Sequence, residues 1–220
     1  AIQIIKMCES FSKLKHEVLL ITTNASDKKV FDFYGVKSKF HIKKLKKYNK
    51  FPLGLKYYLF SISSIIESLN FKPDVYITRN FFTSCLLTIL RKKNILELHH
   101  GIEVESRIVR FITKNLNFFN YKCLLKLVAI TNSVKQYYQK KFSIRSNKII
   151  VAPSGSSIEN KFFNNILQNK KKLSIGYFGS LYKSRGVELI LKLSKIDREN
   201  KYFIFGNLKN YKNIKNKFYS

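Results

Sequence analysis

The sequence predicts an α/β fold built on parallel sheets, and three observations carry that prediction. Short, nearly continuous apolar runs recur along the chain and alternate with longer segments whose apolar residues fall at helical spacing. Continuous runs of this kind belong to strands buried on both faces of a parallel sheet. Small or polar residues follow each run, and the alternation restarts after a polar, charged stretch at residues 160–172. Such a pattern is that of right-handed βαβ units.

Each element has its own justification. Ile2, Ile5, Met7, Phe11 and Leu14 mark a helix over residues 2–14, and E-V-L-L-I-T-T at 17–23 is a buried strand. A polar loop is expected next, then a weaker strand at 39–45. Pro52 starts a helix to about residue 69, in the first turn, where a missing N–H is tolerated. Strands are expected at 74–78 (D-V-Y-I-T) and 95–98, with a helix at 81–90 between them. Residues 103–116 read as an amphipathic helix with Glu103 and Glu105 in its first turn, where carboxylates suit the helix dipole. L-V-A-I-T at 127–131 is a strand, Asn132 or Ser133 caps a helix to about 142, and a strand at 148–152 stops at Pro153 and Gly155. Beyond the break come a strand at 173–178, a turn at 179–184, a helix at 186–196 and a strand at 202–205 ending in Gly206. Both termini read as cuts. Residues 1–165 are expected to form one Rossmann-like domain without its first strand, 166–172 a linker, and 173–220 the beginning of a second such domain.

Composition narrows the function. The formal net charge is +29, but 35 of the 42 basic residues are Lys and only 7 are Arg, the residue favoured for bidentate reading of phosphates and bases. The lysines are spread along the chain, and Asn, Ile, Phe and Tyr are abundant beside them, so drift toward A/T-rich codons explains the charge without a nucleic-acid surface. A basic face holding anionic lipid, at about 1 kcal/mol per well-placed Lys, is the other reading. Cys8, Cys85 and Cys123 sit in segments that read as helices and form neither a C-x-x-C nor a His/Cys cluster, so no metal site is expected and a reducing cytoplasm fits. The longest uncharged apolar-rich runs, 57–66 and 80–90, are about half the ~20 residues that span a bilayer. A soluble or peripheral protein is expected.

Ligands of open α/β sheets bind beyond the carboxyl ends of the strands. That rule selects Thr23 and Asn24, Arg79 and Asn80, His99, His100 and Gly101, Thr131 to Ser133, Pro153 to Ser157, 179–185 and Gly206. The segment G-S-L-Y-K-S-R-G at 179–186 places Gly179 after a strand, Lys183 and Arg185 in the turn, and Gly186 before a helix, a set suited to a diphosphate. Its spacing is neither a Walker A loop nor G-x-G-x-x-G, which excludes the ATPase and dinucleotide readings. The plainer alternative is an ordinary βα turn with solvated cations. His99 likewise is either a site residue or a structural or exposed strand-end histidine. No pair of carboxylates has the disposition of a glycosidase.

L-S-I-G-Y-F-G-S-L-Y-K-S-R-G-V-E-L-I-L-K-L-S resembles the first strand, turn and helix of the donor domain in glycosyltransferase family 4. L-V-A-I-T-N-S-V-K-Q-Y-Y followed by N-K-I-I-V-A-P-S-G-S-S resembles that family's approach to its linker. I-K-M-C-E-S-F-S-K-L-K-H-E-V-L-L-I-T and I-L-E-L-H-H-G-I-E resemble the first helix and second strand of its acceptor domain, and the strand whose end carries a His facing the cleft. The resemblance implies a GT-B fold and retaining transfer of a sugar from a nucleotide-sugar to a glycan or lipid-linked acceptor, in cell-envelope polysaccharide synthesis. It implies no metal and no cofactor beyond the donor substrate, and a cytoplasmic protein, peripheral at an anionic membrane.

Residue by residue, the resemblance puts Lys183 or Arg185 on the donor diphosphate with Gly179, Ser180 and Gly186 around it. Ser180 stands where many members have Arg. His99 is implied as the catalytic cleft residue, with His100, Gly101, Ser133 and Gly155 on the acceptor side or cleft. Glu97 and Glu105 have the family's Glu, seven residues, Glu spacing but in the wrong domain, and the spacing reads as coincidence; the motif proper would lie beyond Ser220. The 220 residues alone are expected to be inactive. The alternatives are a basic, non-enzymatic module for RNA or membrane, and another GT-B enzyme such as a sugar-nucleotide epimerase.

Overall fold

The structure, a computed structural model, describes residues 2–23, 27–48, 50–153, 155, 172–179, 181 and 185–206. It separates into two compact units, Ala1–Ser157 and Ile158–Ser220. The expected linker at 166–172 lies outside the described residues except for Lys172.

The first unit runs α1 (Ile2–Lys13), β1 (Leu19–Thr22), α2 (Asp27–Tyr34), β2 (His41–Lys44), α3 (Leu53–Leu69), β3 (Tyr76–Thr78), α4 (Phe81–Ile89), β4 (Asn94–Leu98), α5 (Arg107–Asn115), β5 (Leu124–Ala129), α6 (Asn132–Phe142) and β6 (Ile149–Val151). β1 pairs with β2, and β3-β4-β5-β6 form a four-stranded sheet. The second unit has β7 (Ser174–Phe178), α7 (Val187–Ile196) and β8 (Lys201–Phe205), with β7 paired to β8. Every pairing among the described strands is parallel, as the continuous apolar runs require.

β4 lies inside its sheet, and its Asn94, Leu96, Glu97 and Leu98 are all buried. Leu96 and Leu98 pack with Phe81 and Cys85 of α4, Leu124, Leu127 and Ala129 of β5, and the aromatic group Phe118, Phe119 and Tyr138. Phe81 and Tyr138 stack at 6.2 Å, and Phe118 meets Phe119 edge-on at 5.1 Å. At the start of β4, buried Asn94 is satisfied by Ser84, Thr88 and the Lys92 carbonyl. At its other end the Tyr138 hydroxyl donates to the His100 carbonyl at 3.0 Å, tying the turn after β4 to the aromatic core. Burial pushes the Tyr138 pKa well up, so its hydroxyl stays a donor.

Five local expectations need correction. The polar loop after β1 contains α2, because Val30, Phe31 and Tyr34 pack against Ile5 and Phe40. Pro52 is the N-cap of α3 (φ −55°, ψ 152°), not its first turn. Thr131 caps α6 by accepting the Val134 N–H at 3.2 Å, so Asn132 and Ser133 lie inside the helix. Cys123 immediately precedes β5 and is not helical. The helix expected at 103–116 is a 3-10 turn, Ile102–Val104, a break at Glu105, and then α5, whose N-cap Ser106 accepts the Val109 N–H. Glu103 and Glu105 are therefore not first-turn acids of α5.

Candidate functional site

The register Thr78↔Leu96 between β3 and β4 sets Arg79, the next residue after β3, beside Glu97. Glu97 and His99 are two residues apart on extended chain and so project to one side. The result is a cluster around one buried carboxylate. The Arg79 guanidinium donates to Glu97 through Nε at 2.9 Å and Nη2 at 3.0 Å, the fork geometry that gives strong, oriented pairs. Gln3 of α1 donates to the same carboxylate at 3.2 Å, and His99 Nε2 lies 3.0 Å from Glu97 Oε1.

This geometry settles which histidine nitrogen carries the hydrogen. A carboxylate only accepts, so Nε2 carries hydrogen and donates to Glu97. Nδ1 has no hydrogen-bond partner among the described residues and, on the neutral ring, carries the lone pair. Arg79 has its charge matched by Glu97, which leaves it poorly suited to hold a phosphate.

Arg79, Phe81, Glu97, Leu98, His99, His100 and Glu105 line a cavity of about 250 Å³. On a chain of net charge +29, its wall holds two carboxylates against one guanidinium. Burial raises the Glu105 pKa, with His100, whose Nε2 is 3.8 Å away, pulling the other way. His100 is exposed, and its Nδ1 lies 3.2 Å from the Gly101 carbonyl. At Gly101 a Cβ would come within 2.5 Å of Glu103 Oε2 and 3.1 Å of the Tyr137 ring, so a side chain there would push the Glu103 carboxylate aside and press on Tyr137. Glu103 is held there by Lys141 and by the Tyr137 hydroxyl, which lower its pKa to about 2. A cavity of about 720 Å³, lined mainly by apolar side chains of α1, β1, α2 and β3, also reaches Arg79 and Glu97.

The other expected residues lie elsewhere. Ser133 is exposed in the first turn of α6 and Gly155 is exposed after β6; neither lines the 250 Å³ cavity. In the second unit, Gly179 follows β7 and donates its N–H to the Phe205 carbonyl at 3.1 Å. Gly186 is the N-cap of α7 in the left-handed region (φ +82°), with exposed Arg185 just before it. Ser180 and Lys183 lie outside the described residues. Gly206 packs so closely on the same turn that a Cβ would sit 2.2 Å from the Gly179 carbonyl oxygen. What these residues offer chemically is the start of a helix, the end that its dipole makes positive, with Arg185 directly before it, an arrangement that suits an anion. No group of three or more His, Cys, Asp or Glu that could hold a metal occurs among the described residues.

Residues 1–160, which carry the whole His99 cluster, match the model of Glycosyltransferase Family 4. The chain belongs to glycosyltransferase family 4. Among solved structures this family 4 chain is similar to a glycosyltransferase from Rickettsia africae ESF-5, with TM-score 0.65 and 18% identity over 98% of this chain and 59% of that one. It is also similar to Anabaena HepE in complex with UDP and glucose, with TM-score 0.63 and 11% identity over 98% of this chain and 60% of that one. The chain thus spans about three fifths of each neighbour, and its fold is of the GT-B type with Rossmann-like units. A search of the curated proteins finds no match. No described helix is long and apolar enough to cross a membrane.

Sequence reasoning pointed to His99 but not to its setting. The strand-end rule reached Arg79 without a partner for it, and the spacing of Glu97 and Glu105 reads as coincidence, yet both acids line the His99 cavity. The available signal was the i, i+2 alternation of extended chain running on from β4, which sets Glu97 and His99 on one side.

Proposed function

We propose that this protein transfers a sugar, with retention, from a nucleotide-diphosphate donor to a glycan or lipid-linked acceptor in cell-envelope polysaccharide synthesis, on the cytoplasmic side of the membrane. The observation that carries the reading is the His99 cluster: Nδ1 is left as an acceptor beside a cavity whose one guanidinium is already matched. Such a wall suits the uncharged hydroxyls of a sugar better than a phosphate. The first unit reads the sugar and the acceptor, with His99 Nδ1 accepting from a ligand hydroxyl. The second unit holds the diphosphate, with Arg185 and the start of α7 opposing the charge that builds on the leaving group. The family supports this assignment, and so does a neighbour solved with UDP and glucose.

The test is a donor-binding titration followed by transfer of labelled sugar to an envelope lipid extract, the transfer being measured on the protein encoded by the whole gene. Nucleotide-sugars should bind better than the matching nucleosides, and Arg185→Ala should weaken them about tenfold to a hundredfold, the range for one hydrogen bond to a charged group. His99→Ala should leave donor affinity near wild type and slow transfer by about a hundredfold or more. Nucleosides binding as tightly as nucleotide-sugars, with binding that only tracks salt, would instead mark a generic polyanion binder.

A further inference from the structure

α5 presents two faces. Val109 and Thr113, 1% and 3% exposed, are buried in the core. Outward, Ile108 (51% exposed) and Phe111 (66%) stand about one turn apart, with Val104 (72%) in the preceding turn and Leu116 (44%) at the C-cap adding to the apolar surface. Beside them Arg107, Arg110 and Lys114 form an exposed row at i, i+3 and i+7, and residues 106–116 contain no acid. Two of the chain's seven arginines fall in this one helix, so codon drift toward lysine does not account for the row.

We propose that α5 is an interfacial helix that lays Ile108 and Phe111 into the headgroup region of an anionic phospholipid bilayer while Arg107, Arg110 and Lys114 pair with lipid phosphates. A solvent-exposed Phe and Ile flanked by cations is the pattern of a helix lying in the plane of a membrane surface. Charge singles out α5: α3 also exposes Leu55, Ile62, Ile66 and Leu69, yet nothing in the structure indicates what covers that row. Location gives the contact a purpose. Ser106, the N-cap of α5, directly follows Glu105 in the wall of the His99 cavity. A bilayer held on α5 therefore lies at the approach to that cavity, where a lipid-linked acceptor would enter. That purpose rests on the transferase reading; the contact itself does not.

The experiment is co-sedimentation of the 220-residue chain with phosphatidylcholine vesicles, with and without phosphatidylglycerol, at physiological salt. The wild type should bind only the vesicles containing phosphatidylglycerol. Ile108→Ser with Phe111→Ser should lower that affinity about a hundredfold by removing buried apolar area. Arg107→Gln, Arg110→Gln and Lys114→Gln together should lower it about as much, at roughly tenfold or less per charge. A charge-matched control, Lys46→Gln, Lys47→Gln and Lys50→Gln, should bind as the wild type does. All the altered side chains are exposed, so thermal unfolding should be unchanged in every variant. Equal loss in the control would reduce the effect to diffuse charge and overturn the assignment, as would full binding by the apolar pair variant. Binding of RNA that survives the loss of Ile108 and Phe111 but not of the cations, with no vesicle binding, would overturn it in favour of a nucleic-acid face. Donor titration of the same samples separates the two claims. Vesicle binding without nucleotide-sugar binding removes the transferase reading alone, and the reverse result removes the α5 assignment alone.

Discussion

Glu9 on α1 and Glu97 on β4 are both buried carboxylates, 3% and 6% exposed, and both are ringed by donors. Glu9 is met by Lys6 at 3.0 Å and Lys13 at 3.5 Å, its neighbours along the same helix, and accepts the Lys37 N–H at 2.8 Å. It lines neither of the two cavities described above and fastens α1 to the chain entering β2. Glu97 draws Gln3 and Arg79 from two other segments, meets His99 two residues further along its own, and lines both cavities. Burial of a charge is thus no mark of a site. What distinguishes Glu97 is that one of its partners keeps a ring nitrogen unused beside a cavity.

The largest effect should come from breaking the Arg79–Glu97 pair. Glu97→Leu strands a guanidinium in a mostly buried place and should cost about 4 kcal/mol in urea unfolding. Arg79→Met combined with Glu97→Leu should recover most of that loss, since a buried pair is often no better than an apolar replacement. Function separates the two glutamates. The double variant should regain stability but not sugar transfer, because His99 has lost the group that fixes its tautomer. If transfer returns with stability, Glu97 is structural in the way Glu9 is.

Next in size is Glu9. Burial alone would raise its pKa, but the Lys37 N–H and the Lys6 ammonium outweigh this and hold the carboxyl at about 2, down from 4.5. A lowered folded pKa stabilises above the unfolded value and is lost as pH falls through the folded one. Glu9→Gln should therefore cost about 3 kcal/mol at neutral pH. The difference from wild type should shrink from pH 4.5 downward and vanish near pH 2. Donor and vesicle binding should not change. A stability gap that persists at the acid end would mean that Glu9 acts through packing and not through charge.

The same contrast explains what the sequence could and could not tell. Residues that act along the chain were legible: the continuous apolar run of β4, the histidine at its end, and the glycines that close β7 and open α7. Residues that act across the fold were not. Arg79 and Glu97 meet only because β3 and β4 are neighbours in register, which no local pattern states. α2 reads as a loop because its first turn is Asp27, Lys28 and Lys29, and its support comes from Ile5 and Phe40. Glu105 reads as a helix acid until Ser106 takes the cap and leaves it in the cavity wall.

The second unit sharpens the comparison from the other side, since its turn is shaped by backbone and not by a buried charge. Gly206→Ala would drive a Cβ to 2.2 Å from the Gly179 carbonyl oxygen and against Leu181. Part of the turn has to shift, which should cost about 2 kcal/mol, as overpacking does. Gly186→Ala meets nothing within 4 Å, so its only penalty is the left-handed backbone at φ +82°, about 1 kcal/mol. Both should weaken donor binding, the first by moving the Gly179 turn and the second by disturbing the start of α7. Gly186→Asn tests the second cause, because Asn accepts this conformation and should lose less than Ala. If Asn and Ala lose equally, backbone strain at Gly186 is not what holds the donor turn, and Arg185 carries its affinity alone.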